Sequence, residues 1–315
     1  MIKVGLILYS VRDLMAKDAL GTVEAVAKLG YKNIEVCNHN AIKDFGCGFG
    51  LSAEDMKAKF DEYGSRVVSA HIFPYEKTNL HEIVKYNTIL GNKNIVNPND
   101  RFTTYDELMR QCEFYNESAK ILWEEGGMKM LYHNHTQEYR TFNGKSILDI
   151  MMENTDPQYV GLELDTFWTM RAGHDPVEML KHFGKRVKLV HQKDFAWDAL
   201  EPINQIGLNP EDYEIKPGEA WGTNGDSFYA KAGGKHVQTE MTEEQKKAMA
   251  ARQSCFTEIG DGIMNIQAII DTANEYCESE YIILEQDATR LPTSLASIER
   301  SMESFKKFKN ISWDN

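Results

Sequence analysis

Leu131-Tyr-His133-Asn-His135-Thr-Gln-Glu138 ends one apolar run of this chain, and three more runs end the same way: Leu162-Glu-Leu-Asp165, Leu189-Val-His191-Gln-Lys193-Asp194 and Ile283-Leu-Glu285-Gln-Asp287. Each reads as a buried strand whose last residues are imidazoles, carboxylates or a lysine. Outward from these segments the pattern alternates almost throughout. Strand signals fall at Val4–Tyr9, Asn33–Cys37, Arg66–His71, Asn94–Val96, Lys129–His135, Val160–Thr166, Val187–Asp194 and Tyr281–Gln286. Between them lie stretches of helical period such as Gly21–Leu29, Ala53–Tyr63, Thr104–Glu124, Val177–His182 and Ile266–Tyr276. Ser52 before Ala-Glu-Asp has the form of a helix N-cap. Eight βα repeats predict an α/β fold of the (β/α)8 TIM-barrel type, with polar strand ends gathered at one active face. An open doubly wound sheet is the competitor, but no GxGxxG follows the first strand.

Composition narrows the chemistry. A formal charge of −13 disfavours nucleic acid, whose affinity comes from Lys and Arg displacing counterions. The five cysteines form no CxxC pair, which fits a reducing compartment better than a disulfide framework or a thiolate zinc site. The N-terminus already reads as a strand, not a signal peptide, and no apolar run approaches the roughly 20 residues of a membrane span. A cytoplasmic protein without membrane contact is expected.

Residues 1–315 are expected to form one domain, interrupted once. Residues 196–255, after the seventh strand, carry Pro202, Pro210, Pro217 and scattered glycines (Gly218, Gly222, Gly225, Gly233, Gly234), and end in a charged helical stretch, Thr242–Arg252. Loops this long in compact domains are usually lids or binding elements. The insertion leaves a strand on the active face, so a lid or a partner-docking loop is expected there.

Side chains alternate across a strand, so Glu163 shares a face with Asp165, and His191 with Lys193. In a barrel that face is the interior, which opens at the strand ends. Asp165, His191 and Glu285 can then converge on one divalent ion with a donor from the fifth-strand segment, where His133, His135 and Glu138 can all be placed near the cleft; Glu138 is assigned as that ligand. Mixed N and O donors suit Mn²⁺, Zn²⁺, Co²⁺ or Fe²⁺ better than Mg²⁺ or Ca²⁺. An unpaired charge at the end of an apolar run is costly, which favours a site role for Asp165 and Glu285 over a packing role. His135 is the expected general base, because an imidazole titrates near neutral pH. Lys193 is expected to deliver a proton or steady an oxyanion. Tyr9, Glu35, His71, His133, Trp168 and Asp287 are expected to line the substrate cleft, and Glu163 to be a hydrogen-bonded residue one pleat deeper.

Taken together, Leu8-Tyr-Ser-Val-Arg-Asp13, Gly30-Tyr-Lys-Asn-Ile-Glu35, Tyr132-His-Asn-His-Thr-Gln-Glu138, Glu163-Leu-Asp165, His191-Gln-Lys-Asp194, Gly260-Asp-Gly262 and Glu285-Gln-Asp287 resemble the sugar phosphate isomerase/epimerase superfamily of xylose isomerase-like barrels. That resemblance implies a single bound metal, Mn²⁺ foremost, held by two glutamates, an aspartate and a histidine. Asp165, His191 and Glu285 match those positions. Many relatives carry Glu where His133 falls, so either Glu138 reaches the metal or His133 replaces the carboxylate. The second histidine of the endonuclease IV branch is Trp168 here, which with the charge argues against a nuclease. The implied activity is proton abstraction next to a sugar carbonyl, with isomerisation, epimerisation or elimination as outcomes. The His-Asn-His-x-x-Glu branch also resembles the large subunit of C-glycoside deglycosidases. That would imply 3-keto glycosides as substrates, an oligomer and a small β-rich second subunit. A sugar-binding subunit without catalysis is the alternative.

Overall fold

The computed structural model describes residues 1–76, 78–216 and 241–313. Eight parallel strands pair in chain order: β1 (Ile2–Ile7), β2 (Asn33–Asn38), β3 (Arg66–Ile72), β4 (Asn94–Asn97), β5 (Lys129–His133), β6 (Val160–Asp165), β7 (Val187–Gln192) and β8 (Tyr281–Leu284). β8 returns to β1 in a register running from Lys3 opposite Tyr281 to Leu6 opposite Leu284, which closes the barrel. Helices follow each strand on the outside, among them Ala53–Glu62, Tyr105–Gly126, Ile266–Tyr276 and Ser294–Phe305. Ser52 caps the first of these as its sequence suggests, its Oγ accepting from the Asp55 N–H at 3.0 Å. No helix among the described residues is long and apolar enough to cross a membrane.

The barrel interior changes character along its axis. Its lower part is filled by Ile7, Val68, Val96, Leu131, Leu189, Tyr281 and Ile283. Gly5 of β1 makes room for this packing, because a Cβ there would lie 2.5 Å from Ile283 Cδ1 and 2.9 Å from the Asn33 carbonyl. One pleat higher the inward side chains turn polar and stay buried: Glu35, His71, His133, Glu163, Asp165, His191, Lys193 and Glu285. Each buried ion costs several kcal/mol even after relaxation, so stability alone would favour an apolar layer here. A polar layer at the C-terminal strand ends marks the functional face.

Several strands end earlier than their apolar runs do. β5 stops at His133 because Asn134 bridges to β6: its Oδ1 accepts from the Asp165 N–H at 2.9 Å and its Nδ2 donates to the Asp165 carbonyl at 3.3 Å. β7 stops at Gln192, and Asp194–Phe195 pairs instead, antiparallel, with Phe256–Thr257. That ribbon brings the two ends of the insertion together. Residues 217–240, with Pro217 and all five glycines named above, lie outside the described residues.

The described parts of the insertion are tied to the active face. Arg171 is 1% exposed and donates to Glu201 Oε2 at 2.5 Å and to the Pro202 carbonyl at 2.7 Å. Glu214 accepts from Thr141 Oγ1 at 2.6 Å and from the Asn143 and Gly144 N–H groups at 2.7 and 3.0 Å. On the other side Arg290, from the loop after β8, pairs with Asp198 at 2.6 Å and donates to the Ser254 carbonyl.

Candidate metal centre

β6 ends in Asp165, whose two oxygens do different work. Oδ1 accepts from the Trp168 N–H at 2.8 Å and so caps the helix Thr166–Arg171, an arrangement that also favours the ionised form through the helix dipole. Oδ2 turns inward, 2.5 Å from Lys193 Nζ. The same ammonium donates to Glu285 Oε2 and lies 3.9 Å from Asp287 Oδ2. His191 Nδ1 is 3.2 Å from Glu285 Oε2, and His133 Nε2 is 3.8 Å from Asp165 Oδ2.

The donor atoms of His133, Asp165, His191 and Glu285 thus all lie within 4.8 Å of one another, and all four residues are buried. Two nitrogens and two carboxylate oxygens at this spacing fit a first-row divalent cation. The position of Lys193 supports the fit, since Asp165 and Glu285 already enclose one cationic group.

The electrostatics follow from burial and charge. Burial raises the Asp165 pKa against the pull of Lys193. For Glu285 burial pushes upward too, but Lys193 and His191 outweigh it and hold the carboxyl well below the usual range. Burial lowers the Lys193 pKa, but Asp165, Glu285 and Asp287 outweigh it and hold the ammonium above its ordinary value. Asp287, pushed up to about 6 by burial, stands at the rim.

With this geometry the chain can be compared with known proteins. The sequence pattern of the xylose isomerase-like TIM barrel family matches residues 23–308. The chain belongs to that family. Two curated relatives are inosose dehydratases. The one from Geobacillus kaustophilus is 38% identical over 91 residues, 29% of each chain. That from Clostridium beijerinckii is 24% identical over 188 residues, 60% of this chain and 49% of the relative. The chain therefore matches at most about half the length of these two relatives. Among solved structures, a sugar phosphate isomerase/epimerase from Parabacteroides distasonis superposes with a TM-score of 0.71 at 21% identity, covering 99% of this chain and 96% of that one. The IolI protein with a bound zinc atom gives 0.62 at 15% identity, covering 96% of each. These likenesses establish the fold.

Within this xylose isomerase-like barrel the sequence-derived candidates divide into three groups. Asp165, His191 and Glu285 meet in the cluster as expected. Glu138 lies outside it. Its Oε1 accepts from Tyr132 OH at 2.6 Å and its Oε2 from the His135 N–H at 2.8 Å, so both oxygens are turned into the wall. The β5 residue whose ring nitrogen lies among the donor atoms of the cluster is His133. Glu35 and His71 lie buried beneath the cluster, and Glu35 is 0% exposed.

The mouth is formed by the remaining candidates. The half-buried His135 ring stands 5.0 Å from that of His133 and 5.5 Å from Trp168. Lys193 Nζ lies 5.6 Å from the Trp168 ring centre, and Arg252 of the insertion lies 5.8 Å from it. Tyr9 sits at the opposite rim under the Arg12 guanidinium. His39, not among the sequence-derived candidates, contacts the rings of Tyr9 and Phe73 there; its place directly after β2 was the available signal. Asp194 has a different role from its neighbours. It accepts from the N–H groups of Gly260, Gly262 and Met264, so the Gly260-Asp-Gly262 motif wraps a carboxylate.

Proposed function

We propose that this protein is a divalent-metal-dependent lyase of the dehydratase type, acting on a keto sugar or cyclic polyol ketone by removing a proton next to the carbonyl. The observation that carries the proposal is the buried His133, Asp165, His191, Glu285 set at the open end of the barrel, with a lysine and a further histidine beside it. The inosose dehydratase relatives and the zinc in the IolI neighbour support both the reaction class and the metal. Mn²⁺ and Zn²⁺ are the leading candidates, given two imidazoles and two carboxylates.

A divalent ion held by this set would supply Lewis acidity toward the substrate carbonyl. The protein's own groups do the rest. His133, Asp165, His191 and Glu285 would hold the ion, and the cap on Asp165 Oδ1 keeps its other oxygen pointed inward. His135, half-buried at the mouth, takes the carbon-bound proton through its ring nitrogen. Lys193 keeps a proton at Nζ within reach of the same space and returns it to the developing oxyanion or the leaving group. Trp168 provides a flat apolar wall for a sugar ring, and Arg252 keeps the insertion against that wall. Loss of a β-substituent then completes an elimination. With hydroxide as the leaving group this is dehydration. With an aromatic carbon in its place it becomes C-glycoside cleavage of a 3-keto glycoside, the more specialised outcome that the His-Asn-His-x-x-Glu segment suggests.

Carbon-bound deuterium uptake from D₂O, followed by NMR over inososes, open-chain ketoses and 3-keto glycosides with added Mn²⁺ or Zn²⁺, tests this reading. Exchange accompanied by loss of water or aglycone is expected for one class. Metal-loaded protein that exchanges no proton in any of them would contradict it.

A further inference from the structure

Below the candidate metal set lies a second charged layer that this chemistry does not use. His71 Nε2 is placed between two carboxylates, 2.6 Å from Glu163 Oε2 and 3.0 Å from Glu35 Oε1. Ser69 Oγ donates to the other oxygen of Glu35. His133 and His191 form the partition between the layers, and each presents one ring nitrogen to either side. His133 turns Nε2 toward Asp165 at 3.8 Å and Nδ1 toward Glu163 at 3.0 Å. His191 turns Nδ1 toward Glu285 at 3.2 Å and Nε2 toward Glu35 at 2.8 Å.

A neutral imidazole carries one lone-pair nitrogen and one N–H. Neither histidine can therefore offer a lone pair to both layers at once. The donor atoms of His71, His133, Glu163 and His191 are also close enough together to hold an ion, so the two layers compete for the same two rings. Burial and access separate them. The lower layer is sealed, whereas Glu285 and the adjacent Asp287 border the mouth, where their carboxylates already enclose an ammonium.

We infer that Glu35 and Glu163 are positioning residues: they accept the N–H of His191 and His133, respectively, and thereby aim His191 Nδ1 and His133 Nε2 as lone-pair donors at the upper site. His71, donating between the two carboxylates, keeps them apart and aligned. Carboxylates that accept the distal N–H of a ligand histidine fix its tautomer and raise its basicity. The inference deepens the metal reading above and rests on it.

The test is metal affinity, by chelator competition with Mn²⁺ and Zn²⁺, together with the d–d spectrum of the Co²⁺-loaded protein. Glu35→Gln and Glu163→Gln are each expected to weaken binding about 10- to 100-fold and to change the Co²⁺ spectrum. Glu258→Gln alters an equally buried carboxylate bonded to Thr289 and Ser297 and is expected to change neither. If a glutamine variant does not fold, Ser69→Ala loosens Glu35 while keeping its charge, and a several-fold weakening is expected. Wild-type affinity and spectrum in Glu35→Gln and Glu163→Gln would overturn the inference. So would abolished binding in Glu163→Gln alongside normal binding in Asp165→Ala, which would put the ion in the lower layer. A wild-type protein that binds no divalent ion would overturn the metal reading itself, a separate and recognisable failure.

Discussion

Asp165 and Lys193 carry the clearest division of labour in the site. Lys193 Nζ donates to Asp165 Oδ2 and Glu285 Oε2, the oxygens that a metal would need. Hydrogen bonds to charged groups contribute about 1.5–3 kcal/mol, so the ammonium and a metal ion compete. Lys193→Met is expected to bind Mn²⁺ or Zn²⁺ about tenfold more tightly or better while turning over more slowly, a split that calorimetry and steady-state kinetics read separately. Equal or weaker metal binding would deny the competition. His135 is argued to move a proton and not to hold the ion. His135→Ala should therefore lose about 10²- to 10⁴-fold in kcat with metal affinity unchanged; a parallel loss of metal would make it a ligand instead.

The strands were legible in the sequence because apolar runs and alternation report burial directly. All eight appear, and Asp165, His191 and Glu285 fall where the inward pleat puts them. Glu138 lies beyond the reach of that rule, because alternation applies only while the chain stays extended. β5 ends at His133, and the turn that follows carries Glu138 back onto Tyr132 and the His135 N–H. No spacing rule encodes that turn, since it depends on Asn134 meeting β6. The lower layer was hidden for a related reason: sequence places Glu35 and His71 at strand ends but does not show that the rings of His133 and His191 roof them over. Buried Glu138 also predicts a pH effect. Burial pushes its pKa up to about 7, against the opposing bonds from Tyr132 and His135. The folded state thus binds the proton more tightly than the unfolded chain, and stability falls as pH rises from the unfolded value through about 7. The full effect is on the order of 3 kcal/mol. Glu138→Gln should flatten this slope, seen as urea midpoints that no longer decline between pH 5 and pH 8; an unchanged slope would assign it to other groups. In β1, Gly5→Ala should cost about 1–3 kcal/mol by overpacking, because the Asn33 carbonyl cannot move aside as a side chain can.

The whole molecule is a closed barrel with a 60-residue elaboration whose ends are pinned together at the Asp194–Phe195 and Phe256–Thr257 ribbon. A loop closed at its base adds length at little entropic cost, which is why the barrel tolerates it. Arg171 is its buried anchor, and Arg171→Ala should release Glu201 and Pro202, accelerate proteolysis within residues 196–216 and leave metal affinity intact; unaltered cleavage would show that Glu214 and Arg290 suffice. The barrel places its charge at one end and its packing below. The site at that end depends most on Asp165, which caps one element with Oδ1 and turns Oδ2 toward Lys193 and the donor cluster that would hold an ion. The most direct measurement is a titration of the wild-type protein and Asp165→Ala with Mn²⁺ and Zn²⁺. One equivalent bound by the wild type, weakened at least about 100-fold in a folded Asp165→Ala, more than the 10- to 100-fold typical of outer partners, is the predicted result. Asp165→Ala holding the ion as tightly as the wild type, or a wild type that binds none, would contradict it.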